Sequence, residues 1–341
     1  CESQPINHDY TQFIFHLTAG IRMVSTMMRA LIFLLVAMMF MSFSVTAKDK
    51  NIVFIPKSND QVFWHIMRSG VDEALHELGN INLTWRGPAY NDDTDSQIKI
   101  LRVYTRPDVD AIIIAPTDQT RLVEPISKAV KLGIKVIVVD SALDGNYHQN
   151  FIATDNYAGG ELAAKRLVDT LNHKGNVVLF RTVAGSASTE ERAKGFLDYI
   201  AKNAPLVKVI ADIYGGGSRG KDLRSATTLL QNTKRIDGIF AVNESASDGV
   251  LRALRNTGLA GKIVLVGFDS TDFLIEGLQK QDIDALIIQN PKQMGYLSIK
   301  AAAAAIDQKL SGQRKIYTEA KMVTKDNLQS PEIKQLICTR C

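Results

Sequence analysis

The sequence predicts an α/β protein made of two similar lobes, each a doubly wound parallel sheet with helices on its faces. Three observations lead there. Short β-branched runs alternate with helical segments from residue 52 onward. Strands that recur with a helix between them must pair in parallel, through right-handed crossovers. The alternation then repeats in its chemistry. Asp110-Ala-Ile-Ile-Ile-Ala returns as Asp237-Gly-Ile-Phe-Ala-Val, and Val136-Ile-Val-Val-Asp140 returns as Val264-Leu-Val-Gly-Phe-Asp269. A period this long exceeds any solenoid unit and means two lobes.

In the first lobe, 52–55 reads as a strand and 62–78 as a helix stopped by Gly79. Then come a strand over 81–85, a helix over 94–104 and a strand over 111–115. A helix over 120–132 closes at Gly133, and a strand over 135–139 ends at Asp140. The second lobe opens with a helix over 158–171, a strand over 177–180 and a helix over 190–203. A strand over 207–213, a helix over 221–232 and a strand over 236–242 follow. A helix over 247–256 ends near Gly258, and a strand over 263–266 runs out at Gly267-Phe268-Asp269. Beyond it lie a strand over 284–289, a helix over 294–310 carrying Ala301 to Ala305, and one last strand over 316–323. These late elements must add to sheets already built. Pro291 marks an extended crossing, because the residue before a proline is held out of the helical region.

Hydrophobic residues make up 45% and charged residues 22% of the 341, the balance of an ordinary globular chain. The formal net charge of +4 is small, and the basic residues are scattered. That argues against nucleic acid or an anionic membrane surface as a partner. Segment 27–47 reads as a secretory signal peptide: Arg29, an apolar run over 30–41, then the small-x-small close Val45-Thr46-Ala47. Cleavage is expected after Ala47, with export to the periplasm. The other reading of this run, short for a membrane span, is an uncleaved anchor. Met23, Met27 and Met28 are candidate starts, and 1–26 reads as a non-native upstream extension. Of three cysteines, Cys1 falls in that extension, while Cys338 and Cys341 form a C-terminal C-x-x-C. In an exported chain such a pair can close as a small disulfide loop, and the spacing does not decide whether it does; a redox or metal role needs a structured setting or further ligands.

Ligands of open parallel sheets bind beyond the carboxyl ends of the strands. There the first lobe delivers Thr117-Asp118 and Asp140-Ser141, and the second delivers Asn243-Glu244 and Asp269-Ser270. If the two edges face each other, carboxylates and amides line a cleft. Helix capping competes with that role. Capping is the favoured reading for Thr117, Asp118 and Ser245. Asp140 and Asp269, followed by segments that read as irregular, are assigned to the cleft.

With TDNYAGG at 154–160, ERAKGF at 191–196, FAVNES at 240–245, VGFDST at 266–271 and IIQNP at 287–291, the ordered layout resembles a known family. From Lys48 to about residue 333 it is similar to the periplasmic sugar-binding proteins of ABC transporters, in the ribose-binding branch of the type I periplasmic binding proteins. The resemblance implies two lobes joined by a three-segment hinge, with crossings near 154–156, 268–271 and 289–291. It implies an N-terminal lobe of 48–154 plus 290–320, a C-terminal lobe of 155–289 plus 321–333, and a tail over 334–341. It further implies a monomeric periplasmic receptor without cofactor, which closes on a monosaccharide or related polyol and delivers it to a membrane ABC permease. The alternative is a sensory receptor for a sugar or an autoinducer-2-like ligand, signalling to a membrane kinase or chemoreceptor.

The family's sugar contacts match Asp140, Arg192, Asn243, Asp269 and Gln289, and its ring-sandwiching aromatics match Phe63 and Trp64. Lys57, in IPKSND, is similar to the autoinducer-2-binding relatives and is taken to reach a ligand hydroxyl, a surface lysine being the other reading. The residue types suit a sugar. Asp, Asn, Gln and Arg offer bidentate partners to adjacent hydroxyls, and aromatic faces suit the C–H side of the ring. Core packing competes for Phe63 and Trp64, and a solvated helix face competes for Arg192. The chain also departs from the ribose-binding pattern. Ala115 stands where that pattern has Asn, Ser141 where it has Arg, and glycines follow Tyr214 where it has an aromatic. These changes point to a roomier or differently polar pocket than ribose needs.

Gly215 to Gly220 matches G-x-G-x-x-G, yet it follows the second strand of its lobe instead of opening the first βαβ unit. It also contains G-x-S-x-G, but all six histidines precede Ser218, the wrong order for an α/β-hydrolase triad. A glycine loop at the cleft rim is the plain reading. No clustered His/Cys spacing suggests a metal. Asp140 and Asp269 as a glycosidase acid–base pair is the one enzymatic reading. A receptor that releases its ligand unchanged is preferred to it.

Overall fold

The two sheets draw their strands from the chain in the same spatial pattern. The computed structural model describes residues 28–29, 49–310 and 314–337. The first sheet holds β1 (Lys50–Ile55), β2 (Ile81–Trp85), β3 (Ala111–Ile114), β4 (Lys135–Val139), β5 (Asn150–Thr154) and β11 (Lys315–Thr318), in the order β11-β5-β4-β3-β1-β2. The second holds β6 (Gly175–Arg181), β7 (Val207–Tyr214), β8 (Gly238–Ala241), β9 (Val264–Phe268), β10 (Ala285–Ile288) and β12 (Lys321–Val323), in the order β12-β10-β9-β8-β6-β7. Ten helices among the described residues flank them: α1 (Val62–Leu78), α2 (Thr94–Tyr104), α3 (Val123–Lys131), α4 (Asn156–Thr170), α5 (Ala187–Asn203), α6 (Arg219–Asn232), α7 (Glu244–Asn256), α8 (Asp272–Gln279), α9 (Pro291–Ile306) and α10 (Pro331–Ile337).

Alternation along each strand sends side chains to opposite faces, so each sheet carries two cores. Ile52 and Phe54 pack against Met67 and Val71 of α1 and Ala302 of α9. Val53 and Ile55 pack on the other face with Leu101 and Ile126. In the second lobe, Val177 and Leu179 meet Phe196, while Val178 and Phe180 meet Val250 and Leu254. Burial on both faces explains why these strands read as continuous apolar runs.

Three passages join the lobes. The chain leaves β5 for α4 after Thr154, leaves β10 for α9 after Ile288, and leaves β11 for β12 through Glu319 and Ala320. The crossing expected over 268–271 is absent: after β9 the chain turns into α8 and stays in the second lobe, with Thr271 capping the helix by accepting from Leu274 N at 3.1 Å. The strand expected over 316–323 is two strands in two different sheets. β11 is parallel to β5, but β12 is antiparallel to β10. The carboxyl ends of the two sheets face one another, so a chain running straight across is parallel in one and antiparallel in the other.

Three elements were not predicted, β5, α8 and α10. Each is short, and each follows a polar loop that hides its periodicity. Pro291 opens α9 at its first turn, where its missing N–H is not needed, directly after the crossing at Gln289-Asn290. The C-terminal helix α10 runs through Ile337, with Ile333 in the second lobe's core, so the expected tail from 334 is helical as far as it is described. The proposed cleavage after Ala47, the apolar run over 30–41, Cys1, Cys338 and Cys341 lie outside the described residues. Among the described residues no helix is long and apolar enough to cross a membrane.

Each lobe packs one helix pair through glycines. A Cβ on Gly295 of α9 would lie 2.1 Å from the Met67 carbonyl oxygen of α1, and one on Gly195 of α5 would lie 2.1 Å from the Tyr157 carbonyl oxygen of α4. Backbone cannot yield there as a side chain would. Gly295→Ala and Gly195→Ala are therefore expected to destabilise by about 1–3 kcal/mol each in urea unfolding. Gly220→Ala, whose Cβ would meet only the Arg224 side chain at 3.7 Å, should be neutral or mildly stabilising.

Candidate ligand-binding site

The carboxyl ends of the two sheets meet, and the loops after the strands line one cavity between them. Its space is about 370 Å³ including the part open to solvent, at the small end of ligand sites, roughly 300–1,000 Å³. Lys57, Phe63, Trp64, Asp140, Arg192, Asn243, Asp269 and Gln289 all line it. Thus the eight residues nominated from sequence converge, four from the first lobe and four from the second.

Asp140 and Asp269 occupy matching places. Each follows a central strand, each has a left-handed backbone (φ 64° and 70°), and each donates its N–H to the neighbouring strand at 2.9 Å, Asp140 to Ile152 O and Asp269 to Ile287 O. A non-glycine residue in that region is a local cost retained where geometry matters, and Asp tolerates it better than most. The turn throws each carboxylate inward.

Partners then hold the charges. Lys57 is 5% exposed, which rules out the surface-lysine reading. Its Nζ lies 3.2 Å from Asp140 Oδ2 and donates across the cleft to Ser186 Oγ at 3.0 Å and Ser188 Oγ at 2.9 Å. Arg192 is 2% exposed, so it is no solvated helix residue. Its Nε donates to Asn156 Oδ1 and its Nη1 to Val242 O, each at 2.9 Å, while the guanidinium stacks 3.7 Å over the Phe268 ring. Asp269 Oδ1 accepts from Gln289 Nε2 at 2.6 Å, and Gln289 Oε1 accepts from Thr154 Oγ1 at 2.8 Å. That chain ties the site to two of the three hinge passages.

Phe63 and Trp64 are nearly buried and belong to the first lobe's core as well as to the cavity wall. Their rings lie 4.9 Å apart at 89°. Perpendicular rings on one helix turn cannot be the two parallel walls of a sandwich, so that expectation is corrected: at most one presents its face to a flat guest. Trp64 Nε1 has no hydrogen-bond partner, and the same holds for Gln61 Nε2, Asn91 Oδ1 and Thr182 Oγ1, all of them cavity residues. Buried polar atoms are normally satisfied; here donors and acceptors without protein partners collect in one place.

Sequence reasoning missed Gln61, Asn91, Thr182, Ser186 and Ser188, all of which line the cavity. Asn91 and Thr182 follow β2 and β6, so the carboxyl-end rule applied to every strand would have found them. The capping readings do not hold for these three residues. Asp118 accepts from Thr120 N at 2.9 Å and Arg121 N at 2.8 Å, which closes the turn ahead of α3, whose N-cap is Leu122. Thr117 instead bonds Thr94 and Gln97 through its hydroxyl, and Ser245 lies inside α7. The cap of α7 is Asn243, whose Oδ1 accepts from Ala246 N while the residue also lines the cavity. Further contacts cross the cleft at its rim: Gln119 N to Gly185 O at 2.9 Å, Ser188 N to Ser141 Oγ at 3.1 Å, and an ion pair of Lys221 with Asp92. The glycine loop 215–220 sits there, with Gly217 against Asp92.

A family model described as a periplasmic binding protein domain matches residues 52–310. The chain belongs to that family. Among curated relatives of this periplasmic binding protein, the D-allose-binding periplasmic protein of Escherichia coli K12 is 28% identical over 287 residues, covering 82% of this chain and 90% of the relative. The ribose import binding protein of Haemophilus influenzae is 27% identical over 287 residues, covering 83% and 94%. Among solved structures, a carbohydrate transporter solute-binding protein from Agrobacterium radiobacter in complex with D-arabinose superposes with a TM-score of 0.82 at 32% identity, covering 85% of this chain and 99% of that one. An ABC transporter solute-binding protein from Agrobacterium vitis with bound D-fucose gives 0.81 at 31%, covering 84% and 99%. These relatives are binding proteins, and this one is a binding protein and not an enzyme.

The electrostatics of the binding protein's cleft are balanced. Two cations, Lys57 and Arg192, face two carboxylates, Asp140 and Asp269. Burial pulls the Lys57 ammonium down, and Asp140 opposes it. Burial likewise lowers Arg192, opposed by Asp269 and then Asp140. Burial raises the Asp269 carboxyl, opposed first by Arg192 and then by the Gln289 bond. Among the described residues no group of His, Cys, Asp and Glu is arranged to hold a metal ion.

Outside the cavity, Asp222 is fully buried in the first turn of α6. Its Oδ1 accepts from Gly217 N at 3.3 Å, and its Oδ2 has no partner. Burial pushes this carboxyl up to about 7, against the nearby Ser245 hydroxyl and the Gly217 hydrogen bond. The unfolded chain titrates near ~3.9, so between about pH 4 and pH 7 the folded state holds a proton that the unfolded state lacks. Stability must fall as pH rises through that window and level off above it, by roughly 1–4 kcal/mol from this group. Asp222→Asn, a mimic of the neutral acid, should remove that slope in urea unfolding measured from pH 4 to 8. Profiles of equal slope for the two proteins would refute the assignment.

Proposed function

We propose that this protein is a periplasmic solute-binding protein that captures a monosaccharide or related polyol by lobe closure and delivers it to an ABC-type permease. The observation that carries the reading is the cavity's equipment. A net-neutral set of buried charges and amides surrounds the space, with an aromatic wall on one side and several polar atoms free of protein partners. A sugar is neutral, donates and accepts at every hydroxyl, and has an apolar C–H face; it matches each of those properties. Bonds to the charged groups contribute about 1.5–3 kcal/mol each when buried.

The relatives add support. Curated proteins similar to this chain are named for D-allose, ribose and xylitol, and neighbours in structure were solved with D-arabinose, D-fucose and D-allose. The signal-peptide pattern over 27–47 supports export. Hinge closure around a solute makes the loaded form distinguishable to a membrane partner.

A thermal-shift screen of pentoses, hexoses and polyols, followed by calorimetry, should find one neutral sugar or polyol bound with a stoichiometry of one and returned unchanged. Asp140→Ala and Asp269→Ala should each weaken that ligand at least tenfold, about 1.4 kcal/mol, with the fold intact by circular dichroism. Unaltered affinity in both variants, or turnover of the sugar, would overturn the proposal.

A further inference from the structure

Glu244 is the first residue of α7, on the second lobe, and its side chain is fully buried. Its carboxylate reaches the other lobe. Oε1 accepts from Val62 N at 3.2 Å and Oε2 from Phe63 N at 2.9 Å. These N–H groups belong to the first turn of α1, among the donors that a helix leaves without partners of its own. α1 has no local substitute: Gln61, at its N-cap, makes no side-chain bond to the helix, and the first turn carries no acidic residue. Behind the carboxylate, Arg219 Nη2 donates to Oε1 at 2.6 Å, and Glu244's own N–H donates to Asp269 Oδ2 at 3.0 Å.

We propose that Glu244 is a latch between the lobes: a cap supplied by one lobe to a helix of the other, made only when the cleft is shut. It does not line the cavity. It acts through α1, whose first turn carries Phe63 and Trp64, and is therefore a positioning residue. When the lobes part, the carboxylate and both N–H groups must turn to water, so these bonds weight the closed form and not the open one. Charge-assisted bonds to a helix start are among the stronger of their kind. Two consequences follow. The protein has a bias toward closure that is independent of any guest, and a guest's escape requires breaking the latch. The second consequence rests on the cleft being the sugar site; the first does not.

The helix start makes the latch testable from both ends. Val62 is the first residue of α1, a position where proline is well tolerated because its N–H serves no helical bond. Gln61 already has the extended angles (φ −100°, ψ 142°) that a following proline requires. Val62→Pro thus deletes a donor of the latch at little cost to the helix, while Glu244→Ala deletes the acceptor. X-ray scattering of the ligand-free full chain should show a larger radius of gyration for each variant than for wild type. The double variant should be no more open than Glu244→Ala alone. With D-allose as the probe, Glu244→Ala should release it at least tenfold faster, equivalent to about 1.4 kcal/mol, and Glu244→Gln should recover part of that loss.

Unchanged scattering in both single variants, or strictly additive opening in the double, would overturn the latch. If Glu244→Ala fails to fold, Val62→Pro against wild type decides alone. If D-allose and every other sugar tested leave the wild type unaffected while the variants still open, the latch stands and the sugar reading falls.

Discussion

Two ammonium or guanidinium groups and two carboxylates are held out of water in the same small space, and the rest of the molecule is arranged around keeping them paired. An isolated buried charge costs several kcal/mol, and removing one partner of a buried pair leaves that cost uncompensated. Lys57 belongs to one lobe and finds its hydroxyl partners on the other; Arg192 and Asp269 lie on the second lobe, with Asp140 contributing from the first. Each lobe therefore brings one cation and one carboxylate, Lys57 with Asp140 and Arg192 with Asp269, and the serine bonds of Lys57 join the two halves. Parting the lobes would return these groups to water.

The hinge is coupled to that balance by short bonds. Thr154 ends the strand before the first passage, Gln289 follows the strand before the second, and the two side chains bond to each other and onward to Asp269. A rotation at either passage must disturb the carboxylate that anchors the second lobe's half of the site. The third passage runs through Glu319 and Ala320, between β11 and β12. The lobes themselves are stiff. The central strands of each sheet are buried on both faces, and Gly295 and Gly195 bring their helix pairs into close backbone approach, so a rotation of one lobe on the other would fall to the three short connecting segments.

Much of this was legible in the sequence. The repeat of Asp110 to Asp140 in Asp237 to Asp269 announced two lobes, and the carboxyl-end rule placed both aspartates at one cleft. Local signals carried these: periodicity, glycine stops and strand ends are properties of ten or so neighbouring residues. Where local signals were weak, elements were missed. β5 has five residues after a polar loop, and α8 begins only after Thr271 caps it. The run over 316–323 looked like one strand because nothing in its periodicity records that it changes sheets midway.

What the sequence alone determined is the order of elements, the twofold repetition and the identity of the charges that end each central strand. The tertiary structure alone decided how those ends meet: which strand crosses third, that Phe63 and Trp64 stand perpendicular, and that a glutamate of one lobe caps a helix of the other. The physical reason is range. Secondary structure is written in contacts a few residues apart, whereas Glu244 and Val62 lie in different lobes, and their hydrogen bond exists only in the closed arrangement that it helps to hold.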